Sequence, residues 1–189
     1  MENKRLTKNF FNRPTLRVAK ELLGKFLIRR TGRKKIRAMI TETEAYCGPE
    51  DLASHASKGR TKRTEIMFGS PGFAYVYLIY GMYHCLNIVT EKKDYPAAVL
   101  IRAVDANGVN GPGKLCRFLK IDRTLNGEDT IKSGKLWIED GQKLKPAQIG
   151  RSKRAGVDYA GSYKDKPWRF FIKSRNERRL TFQQKITNL

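Results

Sequence analysis

Apolar residues recur at helical spacing in two parts of the chain. The first predicted helix spans residues 14–23 and is followed by Gly24, which acts as a stop signal. Its apolar face consists of Leu16, Ala19, Leu22 and Leu23. The second predicted helix begins at Pro112, a residue whose fixed φ favours the first turn. Its apolar face consists of Leu115, Phe118, Leu119 and Ile121.

Elsewhere the apolar period is two, which is typical of strands. The predicted strands are KFLIRR (25–30), IRAMITETEAY (36–46), residues 73–80, 84–89 and 97–104, KLWIED (135–140) and WRFFIKS (168–174). A turn at TGRKK (31–35) joins the first pair, and Gly81 separates the third strand from the fourth. Many strands with few helices predict an α+β fold, with a curved, mainly antiparallel sheet, flanking helices and a protruding hairpin.

Length and composition suit one globular domain. The chain has 189 residues, of which 40% are hydrophobic, and it shows no internal repeat or long linker. We therefore predict a single domain over residues 1–189, with a charged tail at about 176–189. The sequence has neither the ~20 consecutive apolar residues of a membrane span nor the apolar run of a signal peptide. An intracellular protein with no membrane partner is expected, and a monomer, since nothing in the sequence demands a dimer.

Cysteine and histidine are sparse. Cys47, Cys85 and Cys116 are odd in number and widely spaced, and the chain has only two histidines. This pattern supports neither a disulfide framework nor a zinc site. We expect no metal and no cofactor.

Basic residues greatly outnumber acidic ones. Lys and Arg total 39 against 18 Asp and Glu, so the net charge is +21. Residues 64–113 are nearly neutral, with 3 basic and 4 acidic residues, whereas the flanking segments carry the excess. Such a balance favours nucleic acid as the partner, because each cation that binds a phosphate releases counterions. An anionic membrane surface or a role in solubility alone also fits the charge, and the neutral middle could simply be core.

The second predicted strand ends in carboxylates. Strict alternation places Ile40, Glu42, Glu44 and Tyr46 on one face. If that face points into the core, Glu44 has either a partner or a chemical role. Alternation by itself favours the other interpretation, in which the strand end emerges into solvent and both carboxylates are ordinary surface charges.

An aromatic run, FAYVYLIYGMYH (73–84), surrounds the predicted hairpin turn. Phe73, Tyr75 and Tyr77 share one face of the strand and are compatible with a core. Hairpin tips are normally polar, whereas Tyr80 and its neighbours flank Gly81 here. A bulky tip on a basic protein is typical of a wedge that unstacks a base step.

Three polar residues stand in unusual surroundings. Arg102 interrupts the apolar run AAVLIRAV and needs an acceptor, either Glu44 or a structural partner elsewhere. Asn87, inside HCLNIVT, serves either the sheet or a base edge. His55 lies in the basic loop ASHASKGRTKR, where a histidine is either exposed or functional.

Taken in order, these stretches resemble the alkyladenine (3-methyladenine, methylpurine) DNA glycosylase family over about residues 8–173. The resemblance is carried by ETEAYCGPEDLASHA (42–56), GRTKRTEIMFGSPGFAYVYLIYGMYHCLNIV (59–89), VLIRAV (99–104), GPGKLC (111–116) and AGVDYAGSYKDKPWRF (155–170). It implies that Glu44 is the general base that activates water for attack on the sugar C1′. Arg102 then helps to hold that water, and Val157 contacts it through its main-chain carbonyl.

The resemblance also implies a pocket for an extruded base. Tyr46, His55 and Tyr77 correspond to aromatic residues that sandwich the base, and Asn87 to the residue that rejects the exocyclic amine of guanine. Residues expected at the DNA surface are Tyr80 as the wedge, Met82 and Tyr83 beside it, and Arg60 and Arg63 in the basic loop.

The implied function is a monofunctional DNA glycosylase of base-excision repair. Its substrates would be purines such as 3-methyladenine, 7-methylguanine, hypoxanthine and ethenoadenine in double-stranded DNA, and its product an abasic site. Two alternatives stay open: a non-catalytic basic nucleic-acid-binding domain, and a bifunctional glycosylase with lyase activity. The lyase needs a lysine of lowered pKa, and no lysine lies in the apolar strands.

Overall fold

The computed structural model describes residues 4–174, so the predicted charged tail at 176–189 lies outside the described residues. The strands are β1 Phe26–Thr31, β2 Lys34–Tyr46, β3 Ala74–Ile79, β4 Tyr83–Val89, β5 Ala98–Val104, β6 Leu136–Glu139, β7 Ile149–Ser152 and β8 Arg169–Ile172. The α-helices are α1 Lys8–Phe11, α2 Thr15–Leu22 and α3 Pro112–Phe118. Short 3-10 helices lie at His55–Lys58, Glu65–Phe68, Arg123–Leu125, Pro146–Gln148 and Gly161–Asp165.

All of these strands belong to one curved antiparallel sheet, a half-barrel with few helices, which confirms the predicted α+β class. The main path runs β3-β4-β5-β2-β1-β6, and β8 pairs with both β2 and β7. The central strand β2 is 13 residues long, because its first half pairs with β1 while its second half pairs with β5 and β8. Within residues 4–174, no helix is long and apolar enough for a membrane crossing.

The predicted helices are present, but the second is shorter than its apolar pattern. It ends at Phe118, whose side chain is 40% exposed rather than packed in the core. Lys120 has a φ of 51° and turns the chain back, so that Ile121 donates its N–H to the carbonyl of Cys116. Ile121 is buried by this turn and not by a helical face.

Helices α2 and α3 cover one face of the sheet and form the main core with it. From α2, Val18, Ala19 and Leu22 are fully buried, and α3 contributes Leu115. The hydroxyl of Thr43 in β2 donates to the carbonyl of Ala19 at 2.8 Å, which ties the sheet to α2.

A double bulge between β2 and β5 changes which residues face this core. Ile40 pairs with Val104, Glu42 with Ala103 and Thr43 with Ile101, so each strand carries one extra residue. Ile40 and Ala45, five positions apart, therefore both pack in the main core. The predicted alternation was wrong at this point. Beyond the bulge, Glu44 and Tyr46 lie on the opposite face from Ile40, because one unpaired residue reverses the side to which all later residues point.

Candidate active site

The face of the sheet opposite the main core brings together residues that are far apart in sequence. Directly paired residues in neighbouring strands point to the same face. One row across the sheet consists of Tyr75, Asn87, Leu100, Glu44 and Arg169, each paired with the next. Pairing therefore aligns the predicted base, Glu44, with one of the aromatic residues and with Asn87.

Glu44 is fully buried, and protein groups contact both of its carboxylate oxygens. Oε1 accepts a hydrogen bond from the backbone N–H of Ala155 at 2.9 Å and lies 3.4 Å from Nη1 of Arg102. Oε2 accepts from the hydroxyl of Tyr46 at 2.9 Å. A carboxylate oxygen has two lone pairs, so Oε2 can also accept from a water molecule.

Opposing effects act on the pKa of Glu44. Burial raises the pKa above its usual value of 4.5. The N–H of Ala155, the charge of Arg102 and the hydroxyl of Tyr46 favour the ionised form, while the charge of Glu42 disfavours it. The net effect is a raised pKa, which is the direction that makes a carboxylate a better proton acceptor near neutral pH.

Arg102 joins two carboxylates. Its Nε lies 3.0 Å from Oε1 of Glu42 and forms an ion pair with it, although the two atoms are not aligned for a hydrogen bond. Its Nη1 contacts Glu44. Arg169 contacts the same Glu42 oxygen at 3.1 Å from the other side. Glu42 thus holds Arg102 beside Glu44, so the interpretation of Arg102 as a residue with a nearby acceptor agrees with the structure.

His55 belongs to a cluster with two tyrosine rings. Its Nδ1 lies 3.0 Å from the hydroxyl of Tyr75, and its ring meets Tyr77 edge to face at 4.6 Å. Arg63 lies 3.3 Å from Nε2 of His55 and sits over the Tyr77 ring. Arginine can only donate, so Nε2 accepts and the proton of the neutral imidazole is on Nδ1, directed at Tyr75.

His55 is expected to make stability depend on pH. Burial, with the charges of Arg63 and Lys58, lowers the pKa of His55 from 6.5 to about 4. The unfolded chain therefore binds this proton first, and the folded state loses stability as the pH falls from 6.5 towards 4. Over this pH range, we expect the free energy of unfolding of His55→Gln to fall by about 1–2 kcal/mol less than that of the unsubstituted protein. This figure is reduced because the His55 ring is partly exposed and solvent screens its charge. Urea unfolding at both ends of the range measures the difference, and equal losses would contradict it.

Asn87 is buried, and its amide Nδ2 donates to the carbonyl of Tyr75 at 3.3 Å. This contact holds the side chain on the face that Glu44 shares. The role of Asn87 in discriminating bases stays a prediction.

The β3–β4 hairpin ends in an exposed aromatic tip. Tyr80 is 82% exposed and Met82 66% exposed. Tyr80 and Gly81 have φ values of 53° and 70°, and the N–H of Met82 donates to the carbonyl of Ile79, as in a primed hairpin turn. Tyrosine is disfavoured at a positive φ, so the backbone at Tyr80 is strained. Tyr83 packs against α3, where a Cβ on Gly113 would meet its ring at 2.8 Å.

Two further predicted site residues are Arg60, expected at the DNA surface, and Val157, expected to contact the water. Arg60 is paired with Asp94 at 2.5 Å and with Glu65, so it meets acidic neighbours, unlike Arg63 at the aromatic cluster. Val157 is buried, and its carbonyl accepts from the N–H of Ala160. The backbone group of this loop that touches Glu44 belongs to Ala155.

Several groups at the site had no assigned role in the sequence interpretation. Tyr75 was grouped with its neighbours only by alternation, although its hydroxyl orients His55. Asp51 and Arg154 form a buried ion pair behind Tyr46, and neither was singled out, because Arg154 lies in the basic run RSKR, where arginine is ordinarily solvated. No local signal identifies this pair.

Metal-binding geometry is not present in residues 4–174, where no three His, Cys, Asp or Glu residues converge. The three cysteines are free. Burial raises the pKa of Cys47 to about 12, so its thiol is protonated and unreactive at neutral pH.

Comparison with known proteins adds independent information. A model of the family described as methylpurine-DNA glycosylase matches residues 9–176. A Methanocella arvoryzae protein with the name "Putative 3-methyladenine DNA glycosylase" is 50% identical over 187 residues, covering 89% of this chain and 92% of the relative. Proteins of the same name from Desulfitobacterium hafniense and Legionella pneumophila are 44% and 45% identical, covering 89% and 90% of this chain and 95% of each relative.

Proposed function

The chain belongs to the methylpurine-DNA glycosylase family, and on that premise we propose that it excises damaged purines from duplex DNA with a water molecule activated by Glu44. Family membership makes the protein a DNA glycosylase, a hydrolase of N-glycosyl bonds that acts in DNA repair. A glycosylase is an enzyme, so the alternative of a non-catalytic nucleic-acid-binding domain no longer applies. The observation that carries the proposal is the buried Glu44 carboxylate on the sheet face that also bears the aromatic cluster.

The aromatic groups suit an extruded, electron-poor base. Extrusion from the duplex costs a few kcal/mol, and stacking on aromatic rings returns about 1–3 kcal/mol per base. Tyr46, Tyr77 and His55 would provide these rings. A methylated purine with positive charge gains further from the negative ring faces. His55 is neutral because of its lowered pKa, so it does not repel such a base.

Hydrolysis then needs one carboxylate. Cleavage of the N-glycosidic bond passes through an oxocarbenium-like transition state, which a nearby negative charge stabilises. We propose that Oε2 of Glu44 accepts a proton from water as the water attacks C1′, with Arg102 holding the water and the carboxylate together. Cationic 3-methyladenine is already a good leaving group, whereas neutral hypoxanthine needs a proton on its ring.

A substrate panel tests the proposal and defines the specificity. Duplexes with 3-methyladenine, 7-methylguanine, hypoxanthine or ethenoadenine are incubated with the protein, and free base is measured. Release of any of these bases supports the proposal, and release of none from all four contradicts it. Borohydride trapping of a protein–DNA adduct would instead indicate a lyase. That the protein acts as a monomer stays a prediction.

Tyr80 is expected to serve as the wedge that fills the space left by the extruded base. Tyr80→Asn removes the ring and places a residue that tolerates positive φ in the strained turn. We expect unfolding to require about 1 kcal/mol more, while base extrusion, followed with a fluorescent base analogue, falls. Tyr80→Phe keeps the ring and is the matched control. Unchanged extrusion and excision in Tyr80→Asn would rule out the wedge.

A further inference from the structure

Asp51 and Arg154 form a bidentate ion pair that is wholly removed from solvent. Nη1 of Arg154 lies 2.5 Å from Oδ2 of Asp51, and Nη2 lies 2.8 Å from Oδ1. Both side chains have 0% exposure. Such geometry is the strongest that a guanidinium and a carboxylate can form.

The remaining hydrogen bonds of the pair hold three segments of backbone together. Arg154 donates to the carbonyl of Ala45 in β2 at 2.8 Å and to that of Tyr163 at 3.2 Å. Asp51 accepts from the N–H groups of Cys47 and Ala53 at 3.0 and 3.1 Å. The pair therefore connects the end of β2, the loop that follows it and the loop that precedes β8.

Two of the connected segments, the end of β2 and the loop that precedes β8, carry groups that contact Glu44. Ala45 lies between Glu44 and Tyr46, and Ala155 directly follows Arg154. The guanidinium also lies over the Tyr46 ring, 4.8 Å from its centroid. The pair thus contacts the strand that bears the Glu44 carboxylate. It also lies next to the residues that donate hydrogen bonds to that carboxylate, Tyr46 and Ala155.

Stability alone is a weak reason for such a pair. Well-packed apolar residues of similar volume commonly replace a buried ion pair with no loss of stability. What apolar residues cannot supply is the set of directed hydrogen bonds to Ala45, Cys47, Ala53 and Tyr163.

We infer that Asp51 and Arg154 are positioning residues that hold the Ala155 N–H and the Tyr46 hydroxyl against the Glu44 carboxylate. The catalytic consequence of this inference rests on the proposed function. Both donors favour the ionised carboxylate, so loosening them raises the pKa of Glu44 further. The ionisable groups that face Glu44 are Glu42 and Tyr46 on its own strand, Arg102 on β5 and Cys85 on β4, with Arg169 on β8 bound to Glu42. None of these is altered by the variants below.

The decisive measurement is the titration of the Glu44 carboxyl by carbon NMR in the free protein, with its signal assigned from Glu44→Gln. Arg154→Lys keeps the charge but loses the planar fork, and Asp51→Leu with Arg154→Met removes both charges without leaving one unpaired. We expect each folded variant to titrate Glu44 at higher pH. Glu139→Gln is the control, because Glu139 is a buried carboxylate bound to Arg37 on another part of the sheet.

Excision provides the second readout. We expect the double variant to be on the order of 100-fold slower in a single turnover, with its acidic limb shifted to higher pH. Unshifted Glu44 titration in a folded double variant overturns the inference. If the unsubstituted protein releases no base from any lesion, the proposed function fails, and the titration still decides the role of the pair.

Discussion

Glu44→Gln is expected to slow single-turnover base release by about 10³–10⁴-fold while binding to lesion-containing DNA persists. The carboxamide cannot accept a proton from water, and it carries no charge to stabilise the oxocarbenium-like transition state. Loss of the base should therefore affect the chemical step and leave the contacts to DNA unchanged.

The surroundings of Glu44 explain why glutamine fits the site. Its Oε1 can still accept from the N–H of Ala155, and its amide nitrogen can donate to the hydroxyl oxygen of Tyr46. The volume is unchanged. The variant should thus fold with both contacts in place.

The same substitution is expected to raise stability at neutral pH. Burial raises the folded-state pKa of Glu44 above 4.5. The stability contribution of this group is therefore fully present below pH 4.5 and is lost as the pH rises through the folded-state pKa. Glutamine carries no buried charge and avoids this loss. An inactive variant that is more stable than the parent is the signature of a functional buried charge.

Single-turnover kinetics, DNA binding by anisotropy and urea unfolding test this prediction together. Glu42→Gln is the matched control, since Glu42 lies on the same strand and contacts the same arginine. Near-normal excision by Glu44→Gln would remove Glu44 from the role of base.

Arg102→Met is expected to lower excision at neutral pH by about 100-fold, with partial recovery as the pH is raised. Arg102 is the side-chain cation that contacts Glu44 in the described part of the chain, and its charge lowers the pKa of that carboxyl. Without it, the repulsion from Glu42 is less compensated and the pKa of Glu44 rises. The acidic limb of the pH–rate profile therefore shifts to higher pH.

Arg102→Met should also reduce the free energy of unfolding by about 3 kcal/mol, because two carboxylates lose a mostly buried partner. Arg169→Met is the control: it removes a cation from Glu42, and in the described part of the chain the Arg169 guanidinium forms its ion pair with Glu42 rather than with Glu44. A pH–rate profile for both variants separates loss of charge at Glu44 from general destabilisation. Equal profiles for the two variants would contradict the assigned role of Arg102.

Much of the architecture could be predicted from local periodicity. Helical spacing located α2 to within one residue at each end, and alternation located the strands, because both patterns reflect which side of an element is buried. The resemblance to the glycosylase motifs identified the family that the comparisons confirm. Glu44 and Tyr46 could also be placed on a common face, since they are two positions apart in one strand.

The identity of that face could not be predicted. Strict alternation from Ile40 placed Glu44 on the core side, and the double bulge with β5 reverses this. A bulge leaves no mark in a pattern of apolar residues, because it depends on how two strands pair. The contact between His55 and Tyr75, 20 residues apart, likewise depends on how a loop packs on the sheet.

The class of fold, the positions of its elements, the excess of positive charge and the family could all be inferred from the order of residues. Those properties follow from each residue's own chemistry and that of its near neighbours. Three features depend on the folded chain as a whole: Glu44 is buried away from the main core, Arg102 bridges it to Glu42, and Asp51 meets Arg154 across 103 residues. Strand register and the contacts between distant segments are chosen by the packing of the whole chain, and no local pattern encodes them.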